Sequence, residues 1–344
     1  MRNTWRERLT SFRRLQGTVV ACLLVGLSCS SGCAERGTYT SSQALTDAAV
    51  TTASAPAPTK MPVTFAVIGD YGVNDRHERA VASLVASWNP AFVITTGDNY
   101  CSEAGGAGTG KYDDSTGAYY GRWLKDISTT GFRMPVGQAQ VNAFFPSLGN
   151  HDYTDAHGPE SYLKYFALPG AGFSNTSGNE RYYDYVQGPI HFFVLNSNAQ
   201  EPDGTSSMSR QGQWLQRQLA ASTSPWNVVY EHHPPYSSDN RHGPSRDMQW
   251  PFAAWGADVV ISGHVHTYER IMRDGIVYFI NGMGGQEPLY AFAALDPGSA
   301  ARYSGTWGAQ KVTATEDKLV FEFYNVAGAL VDSYELVAKQ ASGN

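Results

Sequence analysis

Thiols are scarce in this sequence, which has four cysteines in 344 residues: Cys22, Cys29, Cys33 and Cys101. The first three lie within the N-terminal 33 residues, so only Cys101 falls where a folding pattern exists. No internal disulfide can staple that region, and its stability must come from a core. A hydrophobic content of 42% is enough to build one. Charge is also sparse: Asp, Glu, Lys and Arg make up 16% of residues, and the formal net charge is −6. The first 33 residues hold five Arg and one Glu, a net +4, so the remainder carries −6 − 4 = −10. A chain this acidic has no basic stripe with which to track a phosphate backbone, which excludes a nucleic-acid scaffold. Its acidity reads as solubility. The apolar run from Gly17 to Ser28 is too short to span a bilayer. Neither an internal repeat nor a second linker is visible. What is plentiful is Gly (35), Tyr (20) and Trp (8), a composition suited to a loop-rich enzyme built on strands.

The N-terminus reads as an export signal. Arg2, Arg6, Arg8, Arg13 and Arg14 form a basic region ahead of the apolar run. Ser30-Ser31-Gly32-Cys33 is similar to a bacterial lipoprotein processing site, in which Cys33 would carry the lipid anchor. Ser30 stands where a larger aliphatic residue is usual, and cleavage slightly later as an ordinary signal peptide is the alternative. Ala34 lacks the Asp that often retains such lipoproteins in the inner membrane. The expectation is an outer-membrane or cell-surface lipoprotein, or a periplasmic or secreted protein. Arg13-Arg14 fits twin-arginine export only weakly. Residues 34–60, rich in Ser, Thr, Ala and Pro, cannot bury enough surface to offset their ordering entropy and read as a tether. Residues 61–344 read as one catalytic domain.

Within that region, Val63 to Ile68 is a β-branched apolar strand running into Gly69-Asp70. His77 to Trp88 has helical spacing, with Ala80, Val81, Leu84 and Val85 on one side. A strand follows at Phe92–Thr95, then a Gly-rich loop over Gly105–Gly110. Further strands are expected at Phe144–Leu148, His191–Leu195, Asn227–Tyr230 and Val259–Ile261, with an amphipathic helix at Gln211–Ala221. After His266 the pattern is strand and turn only, with strands at Ile276–Ile280, Lys318–Tyr324 and Leu330–Leu336. Asp274-Gly275 is the expected hairpin turn. The aromatic segments Tyr112–Trp123 and Tyr162–Phe173 suit either pocket walls or core. The fold class is α/β, a sandwich of two sheets with helices outside and polar loops at the strand ends.

Five short segments place metal-ligand residue types at or just after expected strand ends. They are Gly69-Asp70-Tyr71-Gly72, Gly97-Asp98-Asn99-Tyr100, Gly149-Asn150-His151-Asp152, Val229-Tyr230-Glu231-His232 and Gly263-His264-Val265-His266. Strand ends are rigid, and the glycine ahead of the ligand in four of the five permits a sharp turn close to an ion. Carboxylate, amide and imidazole donors suit Fe, Zn or Mn and not a thiolate site. They are too many for one tetrahedral zinc and about right for two ions sharing a bridge. Singly, each segment is weak: a Gly-Asp pair is usually a turn, His-x-His usually local polarity, and Asn-His-Asp can cap a helix. Their joint order, each behind an apolar strand, carries the signal.

On these motifs, and on Tyr268-Glu269-Arg270 after the last of them, the sequence resembles the calcineurin-like metallophosphoesterases, and among them the purple acid phosphatases, over about Val63 to Arg270. Asp70-Tyr71-Gly72 lacks the His that the wider superfamily has in its first motif, which matches the purple acid phosphatase form. The resemblance implies a four-layer α/β/β/α sandwich of two mixed sheets. It implies two metal ions, Fe with Zn, Mn or a second Fe. Asp70, Asp98, a tyrosine and His266 would hold one; Asp98, Asn150, His232 and His264 would hold the other, with Asp98 as the bridge. The family places that tyrosine three residues after the bridging Asp, whereas Tyr100 comes two after Asp98 and position 101 is Cys. A local loop change that brings Tyr100 to the metal, Cys101 as a substitute ligand, and a site with no Tyr–Fe bond all stay open. Cys101 reads more simply as a small packing residue.

The resemblance further implies that His151 contacts the substrate phosphate and that His242, in Arg241-His242-Gly243-Pro244, is the family's proton donor; an exposed loop histidine is the other reading of His242. His233 and Asp152 are expected to support the ligands from behind. His77, His157 and His191 have no motif around them. The reaction implied is hydrolysis of phosphate monoesters by in-line attack of a metal-bound hydroxide on a small phosphorylated substrate. A phosphodiesterase or nucleotide hydrolase on the same core, and a non-catalytic metal-binding surface protein, are the alternatives.

Overall fold

The computed structural model describes residues 61–101, 110–125, 139–154 and 158–338. The expected signal segment and tether, Cys33, His157 and the Gly-rich loop up to position 109 lie outside them.

Among the described residues, thirteen strands form two mixed sheets. In chain order they are β1 (Val63–Ile68), β2 (Phe92–Thr95), β3 (Phe144–Pro146), β4 (Tyr183–Gln187), β5 (Ile190–Val194), β6 (Trp226–Tyr230), β7 (Val259–Ser262), β8 (Tyr268–Arg273), β9 (Ile276–Asn281), β10 (Ser299–Tyr303), β11 (Gly308–Ala314), β12 (Lys318–Asn325) and β13 (Leu330–Val337). The first sheet runs β13-β12-β11-β1-β2-β3 and the second β10-β8-β9-β7-β6-β5-β4. Each has a parallel block, β1-β2-β3 at one end of the first sheet and β5-β6-β7-β9 inside the second, with antiparallel strands completing it. The sandwich of two mixed sheets with flanking helices expected from the sequence is the architecture found.

The two-residue side-chain period of a strand accounts for how the second sheet is buried on both faces. Phe192, Val194, Val228, Tyr230, Val259, Ile261, Val277 and Phe279 face one core, where they meet Phe65, Phe92 and Phe145 of the first sheet. Their neighbours Phe193, Leu195, Val229, Val260, Tyr278 and Ile280 face the opposite way, against Trp214, Leu215 and Leu219 of the helix Arg210–Ala221. The aromatic segments left open by the sequence belong to the core: Tyr112, Tyr120, Trp123, Tyr162, Tyr165 and Phe166 are all buried in it. Asp274 (φ 54°) and Gly275 (φ 82°) are both left-handed and close the β8–β9 hairpin, with Arg273 paired to Ile276. Three strands had no sequence signal of their own, β4, β10 and β11, and β8 was implied only by the Asp274-Gly275 turn; β11 carries the last three strands back to pair antiparallel with β1.

Helix α1 (Arg76–Trp88) is capped by Asp75, whose side chain accepts the N–H groups of His77 and Glu78. Glu78 reaches back to accept the N–H of Asn74 at 2.7 Å, completing a reciprocal cap. Its other oxygen is buried without a partner, and burial holds the carboxyl well above the ordinary value of 4.5. A carboxyl raised by folding costs stability once it ionises. Its contribution is therefore most favourable below the unfolded value and is lost as pH rises through the folded one. Glu78→Gln keeps the accepting oxygen without the charge. Its urea midpoint is expected to exceed that of the wild type at pH 8, with the gap closing towards pH 4; a gap independent of pH contradicts this.

Candidate metal centre

The carboxyl ends of parallel strands from both sheets point to one place, and the polar loops leave from there. Asp70 follows β1, Asp98 follows β2, Asn150 and His151 follow β3, His232 follows β6, and His264 and His266 follow β7. Three of these residues have left-handed backbones: Asp70 and Asp98 at φ 54° and His264 at φ 65°. Such conformations cost a side-chain-bearing residue about 1–3 kcal/mol and persist only where the surroundings fix them. Here they are fixed by cross-loop bonds, from Asp70 N–H to Gly97 O at 3.1 Å and from His264 N–H to Asp70 Oδ2 at 2.8 Å. At Gly149 a Cβ would stand 2.1 Å from Asp98 Oδ1, so the β3 loop can approach only as glycine.

The side chains assemble a cluster of acceptors. His232 presents Nδ1 to the carbonyl of Thr96 at 2.8 Å. A carbonyl only accepts, so Nδ1 carries the proton and Nε2 is a bare lone pair. That lone pair meets Asn150 Oδ1 at 2.9 Å, His264 Nδ1 at 3.1 Å and Asp98 Oδ1 at 3.4 Å. His266 repeats the device: Nδ1 faces Pro288 O at 2.9 Å, leaving Nε2 towards Asp70 Oδ1 at 3.6 Å. Asp70 Oδ1 is buried with no hydrogen bond. Ligand atoms of Asp70, Asp98 and His232 lie within 4.8 Å of one another, as do those of His232, His233 and His264. The bare Nε2 atoms of His232 and His266 thus face the acceptor oxygens of Asn150, Asp98 and Asp70, an arrangement that cations satisfy, so the residues fit metal binding. Without cations the crowding shows in the titration of the groups. Burial, then Asp70 and Asp152, hold the Asp98 carboxyl well above its ordinary range. Burial, then His233, hold His232 well below its own.

The second layer is as specific. Asp152 Oδ2 accepts from Gly149 N at 2.8 Å and Asn99 Nδ2 at 3.0 Å, and Oδ1 accepts from Tyr112 OH at 2.9 Å. Burial lifts this carboxyl to about 6, with the Gly149, Tyr112 and Asn99 bonds opposing. Asn99 spends its amide on Ser147 O and Asp152, and its oxygen on Tyr71 OH and Thr95 Oγ1. His233 lies against the His264 ring at 4.5 Å and is fixed by Ser197 Oγ at 2.8 Å from Nδ1; burial lowers it to about 4.

His151 donates its backbone N–H to Asp98 Oδ1 at 2.9 Å, with its ring nitrogen 3.5 Å from the Gln286 amide. The His242 ring sits 4.3 Å from that of His264, so the loop histidine is brought to the centre. The Tyr100 ring lies under the Lys111 ammonium at 4.6 Å and beside Tyr112. Cys101 Sγ donates to Asp98 O at 3.2 Å, and burial raises its thiol, so it serves as a packed donor. Thr96, Ser197, Gln286 and Tyr290 escaped the sequence reading, which placed Asn99 in a ligand segment without giving it a role. The signal for Gln286 and Tyr290 was Gly282-Met283-Gly284-Gly285 after β9, but only pairing shows that β9 is parallel and ends at the centre. The Tyr290 phenol is pushed up to about 12, chiefly by burial.

The sequence that builds this fold and centre matches the family described as calcineurin-like phosphoesterase over residues 63–268, and the chain belongs to that family. Its relatives make it purple acid phosphatase-like. It is 27% identical to purple acid phosphatase 15 of Arabidopsis thaliana over 278 residues, 70% of this chain and 48% of that protein. The chain thus spans about half the length of the curated relatives it matches. The fold is shared with solved structures. The yellow lupin purple acid phosphatase aligns with TM-score 0.58 and 16% identity over 81% of this chain and 54% of its own. GAP50, the anchor in the inner membrane complex of Plasmodium, aligns with TM-score 0.57 and 16% identity over 82% and 91%.

Asp152→Asn swaps one accepting oxygen for a donor facing donors. We expect a loss of about 1–3 kcal/mol in denaturant stability and metal affinity weaker by about 10- to 100-fold in a competitive titration. Unchanged metal affinity would show that the Gly149–His151 loop is set by something else.

Proposed function

We propose that this protein hydrolyses phosphate monoesters with two bound metal ions, Fe with Zn, Mn or a second Fe. Asp70, Asp98 and His266 would hold one ion, and Asp98, Asn150, His232 and His264 the other, with Asp98 shared. The observation that carries this is the convergence of carboxylate, amide and imidazole ligand atoms from both sheets, with His151 and His242 beside them. The likeness to purple acid phosphatases supports it. When bound, the ions supply a nucleophilic hydroxide near neutral pH and offset charge on the phosphoryl oxygens.

The chain's own residues supply the rest. Asp98 joins the two halves of the donor set and also anchors the His151 backbone. His151 would donate to a phosphoryl oxygen, and His242, on an exposed loop, to the departing ester oxygen. The donor on the leaving side, together with the likeness to purple acid phosphatases, tilts this reading to monoesters over diesters. Attack in line with the leaving alkoxide needs no phosphoenzyme. The proposal includes export, supported by the arginines at positions 2–14 and the apolar run after them, with Cys33 as a lipid anchor or with the protein free in the periplasm or medium.

A second reading, a metal-binding surface protein without turnover, draws on the likeness to a fold relative described as an anchor. Hydrolysis of an aryl phosphate and the matching diester after Fe/Zn or Mn loading separates the readings. We expect a clear preference for the monoester. Asp98→Asn should bind both ions weakly and lose turnover by at least about 100-fold. Preference for the diester moves the function to phosphodiesterase, and two bound metals with no hydrolysis supports the anchor reading. Near-normal activity in a metal-verified Asp98→Asn variant overturns the shared-ligand assignment.

A further inference from the structure

The chain leaving β9 lines the cluster on a side that none of the five ligand segments covers. It lies flat on the β1 loop, since a Cβ at Gly284 would stand 2.4 Å from Gly69 O. Gln286 N–H donates to Asp70 O at 2.9 Å, and Tyr290 N–H to His266 O at 3.1 Å. The next residues pair with the segment that carries His242, through Asn240 N–H to Ala291 O at 3.1 Å and Ala293 N–H to Ser238 O at 2.9 Å. Ser238 is itself clamped by the buried Glu269 carboxylate, which accepts its N–H at 2.9 Å. Asp239 Oδ2 gathers the N–H groups of Arg241, His242 and Gly243. Tyr290 and His242 are thereby held in one fixed relation.

The Tyr290 ring stacks on the His266 imidazole at 4.3 Å and 16°, and the Arg241 guanidinium lies 4.9 Å from it. Its hydroxyl meets His242 Nε2 at 3.4 Å. That is long for an O–H···N bond, so a phenol only 9% exposed keeps its donor capacity unspent beside an anion-seeking centre. We propose that Tyr290 touches the substrate: its neutral O–H donates a hydrogen bond to an oxygen of the phosphoester, alongside His242. This rests on the phosphoester reading above. A donor already fixed by stacking and backbone pairing costs no reorganisation when the substrate arrives, which is what makes such donors effective.

Tyr290→Phe removes the hydroxyl and keeps the stack. In the metal-loaded full-length protein, kcat/KM for an aryl phosphate should fall by about 10- to 100-fold. Orthophosphate should bind several-fold more weakly by calorimetry, with metal content and thermal midpoint unchanged. Tyr290→Leu, which also removes the stack on His266, should in addition lower metal content. A Phe variant within twofold of the wild type in both kcat/KM and orthophosphate affinity reduces Tyr290 to a packing residue and overturns the proposal. Loss of a visible absorption band from the iron-loaded protein on Tyr290→Phe would make the phenol an iron ligand, and overturns it as well. If the wild type hydrolyses no phosphoester, the functional reading fails on its own. Orthophosphate binding by the two proteins then still decides the role of Tyr290.

Discussion

Two buried carboxylates facing lone pairs with no protons between them are the constraint on which the rest of this structure depends. Asp70 and Asp98 are almost wholly inaccessible, and each looks at an imidazole nitrogen that cannot donate to it. Left alone, such a group is costly to bury, because like charges and bare lone pairs repel more strongly away from water. Cations reverse the sign of each of these interactions. The fold therefore carries a local instability that metal binding relieves, and the scaffold must hold it in place until then.

How it does so is visible in the backbone. The parallel strands of two sheets deliver rigid strand ends from two directions, and left-handed turns at Asp70, Asp98 and His264 redirect the chain abruptly into the cluster. Backbone carbonyls select the histidine tautomers: Thr96 for His232 and Pro288 for His266. Asn99 and Asp152 then bind the β2 and β3 loops to each other with their hydrogen-bonding capacity fully spent on neighbours. A ligand set built this way has little freedom to relax, which is how buried acceptors stay close without collapsing onto alternative partners.

The mouth of the centre follows a different logic. His242 is exposed, and Tyr290 and Gln286 come from a loop that supplies none of the clustered acceptors. The 238–243 and 290–293 segments are nevertheless zipped together and tied through Glu269 to β8, so the rim is ordered by the sheet beneath it. The Tyr268-Glu269-Arg270 motif thus has a physical task in this chain. Glu269 pins the His242 loop, while Tyr268 and Arg270 both reach Asp332 on β13.

The sequence by itself determined the elements whose patterns are local. Apolar β-branched runs marked β1, β2 and β7, amphipathic spacing marked α1 and the helix Arg210–Ala221, and Asp274-Gly275 marked a hairpin. It also determined which residue types stand at strand ends, because Gly-Asp, Asn-His and His-x-His are contiguous. Only the tertiary structure decided what those residues face. Whether β9 runs parallel to β7, and so delivers Gln286 and Tyr290 to the centre, depends on pairing between distant strands, which no local pattern encodes. Strands β10 and β11 are partly exposed or mixed in pattern and gain their identity from β8, β1 and β12. Tyr100 and Tyr290 are the same residue type. What separates a phenol beside Lys111 from one stacked on His266 is the path of the chain through space, and that is fixed by long-range packing.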